Sequence, residues 1–325
     1  MPKLNTMAAM AIIILGSVAS GATAAEKWDL PTGYPASNFH TVNIQEFGAC
    51  VAKGTADAIV IAVHPNGVLF KAADIKRAVQ TGQAVIGERL LSAHEKENAM
   101  FGTDSIPFLA STYEDSVKLY AAARPELEKV LESQGLQLLY SVPWPPQGLY
   151  FKSEVKTTAD MKGIKIRSYN KATQRLSELT EMVPVQIEAA ETSQALAAGV
   201  IDALITSAVT GVDVKAWEQV KYFYTVEAWM PRNHVIMNKA KYDGLDSKTK
   251  DTLVGCAKTA EMTGIEKSKA ANEAALKTLM QNGIQVITPS AELKAGLDAI
   301  GKTMTGDWLA KAGDAGTLVL GQFNN

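Results

Sequence analysis

The segment MKGIKIRSYN, residues 161–170, holds the side chain that bears most directly on chemistry. Ile164 and Ile166 alternate there with the cations Lys165 and Arg167, and this period of two is typical of a strand. A cation on the outward face of a strand is ordinarily solvated, which is our interpretation of Lys165. Arg167 ends the strand instead, where its planar guanidinium could donate two parallel hydrogen bonds to a carboxylate.

Such an arginine could supply much of the affinity of a binding site. Each charge-assisted hydrogen bond contributes about 1.5–3 kcal/mol net. Micromolar binding corresponds to about 8 kcal/mol, so a bidentate pair inside a closed cleft would account for a large part of it.

The remaining polar residues do not form a catalytic motif. The four histidines, at positions 40, 64, 94 and 234, have no ligand-like spacing, and His64 ends a predicted buried strand where a structural role is favoured. The sequence has no Gly-x-Ser-x-Gly, no phosphate loop, no Gly-x-Gly-x-x-Gly and no His-Glu-x-x-His. We therefore predict a binding protein and not an enzyme, with no metal and no cofactor.

Composition excludes some classes of partner and bounds the number of domains. The chain has 325 residues, of which 47% are hydrophobic and 20% charged, enough for two domains of ordinary size. Its formal charge of −2 gives no electrostatic reason to bind nucleic acid.

The first 25 residues have the layout of a secretory signal peptide. Lys3 precedes an apolar run over roughly residues 7–18, and small residues follow it. The apolar run is too short to span a bilayer of about 30 Å. We expect export to the periplasm, with cleavage after Ala24 or Ala25. In that compartment Cys50 and Cys256 could form a disulfide, but the sequence does not decide whether they do.

Strand and helix patterns alternate along the chain, which favours α/β layers with largely parallel pairing. Three prolines in the five residues of VPWPP, 142–146, interrupt the alternation, and we interpret them as a crossover between two lobes. The segment ADAIVIAVHP reads as a buried strand, and residues 247–281 read as one long helix that buttresses more than one element. The predicted division is a signal peptide at 1–25, a first lobe at 26–145 and 237–280, a second lobe at 146–236, and a C-terminal strand and helix at 281–325 that pack across both lobes.

An internal similarity indicates where a ligand would bind. Residues 78–88 and 195–205 share a helix end, a glycine stop and a strand. Polar residues follow at the carboxyl ends of the two strands, namely Glu88, Arg89, Thr206 and Ser207. Ligands of open α/β sheets bind beyond such ends, so two facing lobes would form a cleft there. The shared pattern is also common in α/β proteins that bind nothing at this place.

Several segments together resemble the substrate-binding proteins of TRAP (tripartite ATP-independent periplasmic) transporters, of the DctP type. They are DIKRAVQTGQAVIGERLL, GTDSIPFLASTYEDSVKLY, DMKGIKIRSYN and ALAAGVIDALITS, and the most specific are residues 160–167 and 195–203. The resemblance implies a type II-like, two-lobed periplasmic-binding-protein fold with a long helix spanning both lobes. It also implies an organic-acid ligand and, as partners, the small and large TRAP membrane subunits. We expect the receptor itself to be a monomer.

The resemblance also implies roles for individual residues. Arg167 matches the arginine that grips the substrate carboxylate in this family. The strand end at Thr206 and Ser207, the facing pair Glu88 and Arg89, and the loop at Asn38, Phe39 and His40 correspond to its other pocket segments. The remaining candidate ligand-binding residues are Gln147, Tyr169, Asn170, Trp229 and Asn233.

Departures from the family pattern bear on the ligand. Gln147 stands where many sugar-acid receptors have a second arginine, and Ser207 stands where sialic-acid receptors have an asparagine. Aromatic residues that could stack a flat ligand are Phe39, Tyr150, Tyr169, Trp217 and Trp229. These features favour a monocarboxylate with an apolar or aromatic body. A C4-dicarboxylate, a hydroxy acid, a uronate, or a role as a ligand-sensing accessory protein for a membrane receptor remain alternatives.

Overall fold

The computed structural model describes residues 25–325. The predicted signal peptide, 1–25, lies outside the described residues except for its last position. From residue 25 onward, no helix combines the length and the apolar character needed to cross a bilayer.

Within this range the chain alternates between strands and helices. The elements are β1 (Glu26–Pro31), α1 (Phe39–Gly54), β2 (Ile59–His64), α2 (Ile75–Gln80), β3 (Ile86–Leu90), α3 (Tyr113–Ser133), β4 (Leu136–Pro143), β5 (Gly148–Phe151), β6 (Lys165–Ser168), α4 (Lys171–Leu179), β7 (Val183–Gln186), α5 (Thr192–Ala197), β8 (Ala203–Thr206), α6 (Ala208–Asp213), β9 (Tyr222–Tyr224), β10 (Arg232–Asn238), α7 (Lys239–Asp243), α8 (Ser247–Gln281), β11 (Gln285–Ile287) and α9 (Ala291–Asn324).

The first lobe contains a three-stranded sheet in the order β3-β10-β4, beside a parallel pair β1-β2. β10 runs antiparallel to both of its neighbours, so the prediction of parallel pairing is wrong for this sheet. The reason is that β10 enters from the second lobe, at the end where β3 and β4 finish. β2 is half exposed, with Val60 at 39%, because it is an edge strand of a two-stranded sheet. The prediction of a buried strand there is also wrong.

The second lobe is built on a mixed sheet in the order β11-β9-β5-β8-β6-β7. β6, β7 and β8 pair in parallel, as the alternation with helices predicts. β5 pairs antiparallel with β8 and β9, because it enters directly from the first lobe without a crossover helix.

The pairing of β10 corrects one predicted boundary between the lobes. Asn233 lies opposite Leu90 and Arg232 lies opposite Pro143. The predicted limit between residues 236 and 237 therefore falls inside a strand of the first lobe. The chain returns to that lobe before Arg232.

Two long C-terminal helices contact both lobes. α8 packs on α1 and β4 of the first lobe and on α6 of the second. Gly264 permits this approach, since a Cβ at that position would lie 2.5 Å from Val142. α9 contacts α3 and α4, and it is interrupted at Gly313, where φ is 56°. Cys50 of α1 and Cys256 of α8 form a disulfide with a Cα–Cα distance of 5.8 Å, which answers the question that the sequence left open.

Candidate ligand-binding site

The carboxyl ends of β3, β4, β6 and β8 meet at a small cavity between the lobes. Its volume is about 30 Å³, room for only a few water molecules, so the lobes are nearly closed around it. The residues that line it are Tyr34, Arg89, Leu90, Trp144, Gln147, Arg167, Tyr169, Glu188, Ala189, Thr206, Thr210 and Pro231.

Arg167 reaches this cavity from β6. Ile166 is fully buried on the opposite face of the strand, so the alternation of side chains directs Arg167 toward the cleft. The Nε group of Arg167 donates to the carbonyl oxygen of Ile187 at 3.0 Å. Ile187 is held there because its own N–H donates to the carbonyl of Ser168, at the end of β6. One edge of the guanidinium is thus anchored by backbone.

The other edge of Arg167 is available to a ligand. Within residues 25–325 no carboxylate forms an ion pair with Arg167 and no acceptor bonds its Nη1 or Nη2 groups. Burial lowers the pKa of the guanidinium, while Tyr169 and Glu188 act in the opposite direction. Arginine nevertheless keeps its charge in proteins, so the cavity contains a desolvated cation.

A chain of hydrogen bonds supports the floor of the cavity below Arg167. Trp229 Nε1 donates to the Tyr169 hydroxyl at 3.1 Å, and that hydroxyl donates to Gln147 Oε1 at 3.0 Å. The guanidinium of Arg167 lies over the Tyr169 ring, 5.1 Å from its centroid. Gln147 and Tyr169 therefore line the cavity, whereas the fully buried Trp229 lies behind them and orients Tyr169.

An aromatic wall closes the cavity on the side of the first lobe. The rings of Tyr34 and Trp144 meet edge to face at 5.0 Å. Asn233 Oδ1 accepts from the Tyr34 hydroxyl at 3.3 Å and from Trp144 Nε1 at 3.0 Å, so Asn233 positions the wall without lining the cavity. Phe39 and His40 pack against Trp144 at centroid distances of 5.4 and 4.4 Å, and support it in the same way.

Arg89 and Glu188 form an ion pair across the cleft. Arg89 belongs to β3 of the first lobe, and Glu188 follows β7 of the second. Nη1 and Nη2 of Arg89 donate to the two carboxylate oxygens at 3.2 and 3.0 Å. Its Nε donates to His94 Nε2 at 3.2 Å. The pair is part of the cavity lining and joins the two lobes.

Glu88, the neighbour of Arg89, points the other way. Its Oε2 accepts from the Thr32 hydroxyl at 2.5 Å, and its Oε1 lies 3.4 Å from His40 Nδ1. Successive side chains of a strand point to opposite faces, so Glu88 and Arg89 cannot both reach the cleft. The structure therefore places Glu88 in the interior of the first lobe and not at the site.

Three other predicted residues begin helices next to the cavity. Asn38 caps α1 and donates across the cleft to Asp213 Oδ2 at 2.7 Å. Asn170 caps α4 and donates to the hydroxyls of Ser92 and Ser105, each at 3.1 Å. The remaining one is Ser207, whose Oγ accepts from the N–H of Thr210 at the start of α6. Asn38 and Asn170 thus hold the lobes together, and none of the three lines the cavity.

Comparison with known proteins decides the family. The model of the bacterial extracellular solute-binding protein family 7, DctP, matches residues 33–309. The chain belongs to this family. The resemblance to TRAP solute-binding proteins that the sequence indicated is thereby confirmed, together with the two-lobed α/β fold.

Solved structures of other TRAP receptors superpose closely on this family 7 protein. DctP6 of Bordetella pertussis, described as an extracytoplasmic solute receptor binding pyroglutamic acid, is 45% identical with a TM-score of 0.90, covering 92% of this chain and 99% of its own. A marine metagenome TRAP protein described as specific for pyroglutamate is 44% identical, with a TM-score of 0.91 and the same coverage. A curated solute-binding protein of Albidiferax ferrireducens is 24% identical over 86% of this chain and 84% of its own length.

Of the predicted residues, Arg167, Arg89, Gln147, Tyr169 and Thr206 line the cavity of this TRAP receptor. Sequence reasoning missed seven lining residues, namely Tyr34, Leu90, Trp144, Glu188, Ala189, Thr210 and Pro231. The rule that ligands bind beyond the carboxyl ends of strands would have found Glu188, which follows the predicted strand VPVQI. No local pattern indicated Tyr34 or Trp144.

Proposed function

We propose that this TRAP solute receptor for small organic acids captures a compact cyclic monocarboxylate between its lobes and delivers it to TRAP membrane subunits for uptake. Pyroglutamate, a five-membered lactam with one carboxylate, is our first candidate. Arg167 holds the carboxylate in this proposal. The family and the relatives that match the chain are solute-binding proteins, and the proposal includes no catalytic step.

The observation that carries the proposal is the free edge of Arg167. Its Nε is anchored to the Ile187 carbonyl, while Nη1 and Nη2 border a cavity and have no protein acceptor among the described residues. A buried cation without a partner is costly, and a ligand carboxylate would compensate it with two charge-assisted hydrogen bonds.

The relatives favour a lactam ring as the body of the ligand. The two receptors that are 44% and 45% identical to this chain are described as binding pyroglutamate. A lactam is flat, which suits the edge of the Tyr34–Trp144 wall, but it also carries an N–H donor and a C=O acceptor. The hydroxyl of Thr206 and the amide of Gln147 line the cavity and are suited to these groups. We therefore propose a flat, polar ligand body in place of the apolar or aromatic one that the sequence favoured.

Ligand capture would act as a shift between open and closed forms. A ligand that contacts Arg167 of the second lobe and Tyr34 of the first interacts fully only with the closed form, and it therefore favours closure. We propose that the closed form docks on the small and large membrane subunits. We also propose a periplasmic, monomeric receptor whose mature chain begins after Ala24 or Ala25, which intact-mass measurement and light scattering of the exported protein would check.

Titration calorimetry with pyroglutamate tests the proposal. The unaltered protein should bind, while Arg167→Ala should bind at least about 100-fold more weakly, since two charge-assisted hydrogen bonds are lost. Arg167→Lys keeps the charge but not the planar fork, and it should fall in between. Urea unfolding of each variant serves as the control for folding. Pyroglutamate binding with the same affinity in folded Arg167→Ala would overturn the carboxylate clamp.

Uptake of labelled pyroglutamate tests delivery. Cells that contain both membrane subunits should accumulate the label only when this receptor is also present, and not when it carries Arg167→Ala. Accumulation that is independent of the receptor would contradict delivery while leaving ligand capture intact.

A further inference from the structure

Three charged side chains line the cavity between the lobes, within the part of the chain that the structure describes. They are Arg89, Arg167 and Glu188, so the formal charge of the lining is +1. Two arginines would suffice to hold a dicarboxylate. Whether a ligand can bind both arginines depends on the contacts that Glu188 makes.

Glu188 occupies the ligand-binding edge of Arg89. Both Nη groups of Arg89 donate to its carboxylate, at 3.2 and 3.0 Å, in the same fork geometry that a ligand carboxylate would adopt. The Nε of Arg89 is bonded to His94. The Arg89 side chain is only 5% exposed, so there is little room for a second anion beside Glu188.

The dipeptide Ile187–Glu188 determines which hydrogen-bond donors of Arg167 and Arg89 are occupied by the protein. The Ile187 carbonyl anchors the Nε of Arg167 at 3.0 Å and leaves its Nη edge free. The next residue, Glu188, neutralises Arg89. Two adjacent residues after β7 therefore leave the Nη groups of Arg167 free for a ligand and occupy those of Arg89.

We infer that Glu188 is a specificity-determining residue, which limits the cavity to one ligand carboxylate and excludes dicarboxylates. This inference rests on the proposed function. A dicarboxylate would have to displace Glu188 from Arg89 or leave one of its own carboxylates unpaired in a desolvated cavity. Displacing Glu188, whose side chain is 28% exposed, breaks its two charge-assisted hydrogen bonds with Arg89. Leaving a ligand carboxylate unpaired in the cavity is unfavourable because a buried charge without a partner is costly. Glu188 thus discriminates against dicarboxylates, because its carboxylate occupies the Nη groups of Arg89 and would repel a second ligand carboxylate there.

Four proteins test the inference, with pyroglutamate and succinate as the two ligands in calorimetry. They are the unaltered protein, Glu188→Gln, Arg89→Gln and the double variant, whose cavity charges are +1, +2, 0 and +1. Glu188→Gln is close in size and frees Arg89. Succinate should bind it at least about tenfold more tightly than it binds the unaltered protein. Arg89→Gln leaves Glu188 unpaired next to the ligand, and pyroglutamate should bind it at least about tenfold more weakly.

The double variant is the matched control, since it has the charge of the unaltered cavity without the ion pair. It should lose the gain in succinate binding and recover most of the pyroglutamate binding that Arg89→Gln lost. Urea unfolding shows that each variant is folded. The inference would be overturned if succinate bound folded Glu188→Gln no more tightly than the unaltered protein. It would also be overturned if the gain in succinate affinity persisted in the double variant.

The two proposals can fail separately. If the unaltered protein binds no pyroglutamate, the proposed ligand is wrong. The succinate measurements still decide the role of Glu188, because they compare variants with each other. If pyroglutamate binds as proposed and Glu188→Gln gains no succinate affinity, only the role of Glu188 is wrong.

Discussion

Asn38 and Asp213 join the two lobes directly, with Asn38 Nδ2 donating to Asp213 Oδ2 at 2.7 Å. The other end of the same amide is also occupied, because Asn38 Oδ1 accepts from the N–H of His40 and begins α1. One side chain therefore starts a helix of the first lobe and holds the second lobe in place.

Asn38→Ser should separate these two roles. Serine caps helices about as well as asparagine, so the free energy of unfolding should change by less than about 0.5 kcal/mol. The shorter side chain cannot reach Asp213, and closure loses a hydrogen bond to a charged group. Allowing for the solvent around Asp213, we expect binding of pyroglutamate to weaken about 5- to 20-fold in calorimetry. Asn38→Ala should lose both the cap and the contact. Equal affinities in the unaltered protein and Asn38→Ser would show that this contact does not stabilise closure.

Tyr169→Phe should lower both stability and affinity. The change removes only the hydroxyl that links Trp229 Nε1 to Gln147 Oε1. Leaving these buried groups unsatisfied should reduce the free energy of unfolding by about 1–3 kcal/mol, as measured by urea denaturation. Gln147 would keep its bond from Nε2 to the Pro145 carbonyl but lose the one to its Oε1, so this cavity-lining amide would be held less firmly and pyroglutamate should bind several-fold more weakly. An unchanged unfolding curve would mean that another donor replaces the tyrosine hydroxyl.

The raised pKa of Asp104 predicts a specific dependence of the free energy of unfolding on pH. Its carboxylate accepts from the N–H of Arg232 and from the Ser105 hydroxyl, but burial dominates and raises the pKa of Asp104 from 3.8 to about 7. The folded protein therefore holds a proton between about pH 4 and 7 that the unfolded chain has released. The free energy of unfolding should fall as the pH rises through this window and level off above it.

Asp104→Asn isolates this contribution, because all other titrating groups are shared with the unaltered protein. In the variant, the free energy of unfolding should no longer show the fall with rising pH that Asp104 causes. At pH 8 the variant should therefore be more stable than the unaltered protein, by about 1–3 kcal/mol after allowing for solvent screening. Urea denaturation at pH 5, 6.5 and 8 measures the difference. Parallel curves for the two proteins would contradict the raised pKa.

The Cys50–Cys256 disulfide should stabilise the fold without affecting the ligand. It closes a sequence separation of 206 residues between α1 and α8. Restricting the unfolded chain over such a loop is worth about 2–5 kcal/mol, so reduction should lower the free energy of unfolding by that amount. Neither cysteine lines the cavity, and pyroglutamate affinity should stay within about threefold. The double variant Cys50→Ala, Cys256→Ala should match the reduced protein. A reducing agent that leaves unfolding unchanged would show that the bond contributes nothing.

Local patterns in the sequence were sufficient to place Arg167 at the end of a strand, and in the structure that residue lines the cavity between the lobes. Ile164 and Ile166 mark one face of a strand, and that alternation directs Arg167 to the other face, at the strand's carboxyl end. The long helix was equally clear, since residues 247–281 keep an amphipathic pattern without proline and the structure has α8 at those residues. Strand alternation and helix periodicity depend on residues that are close in sequence, and so the sequence alone predicts them.

The surroundings of Arg167 were decided only by the tertiary structure. Arg89 and Glu188 are 99 positions apart in sequence, and Tyr34 is 199 positions from Asn233. β10 enters between β3 and β4 from the other lobe, and this order of strands brings Asn233 under the aromatic wall. No local propensity encodes which distant strands become neighbours, because that choice reflects packing of the whole sheet. The sequence therefore determined that Arg167 ends a strand, and the tertiary structure decided that it shares the cavity with Arg89, whose Nη groups are already bonded to Glu188.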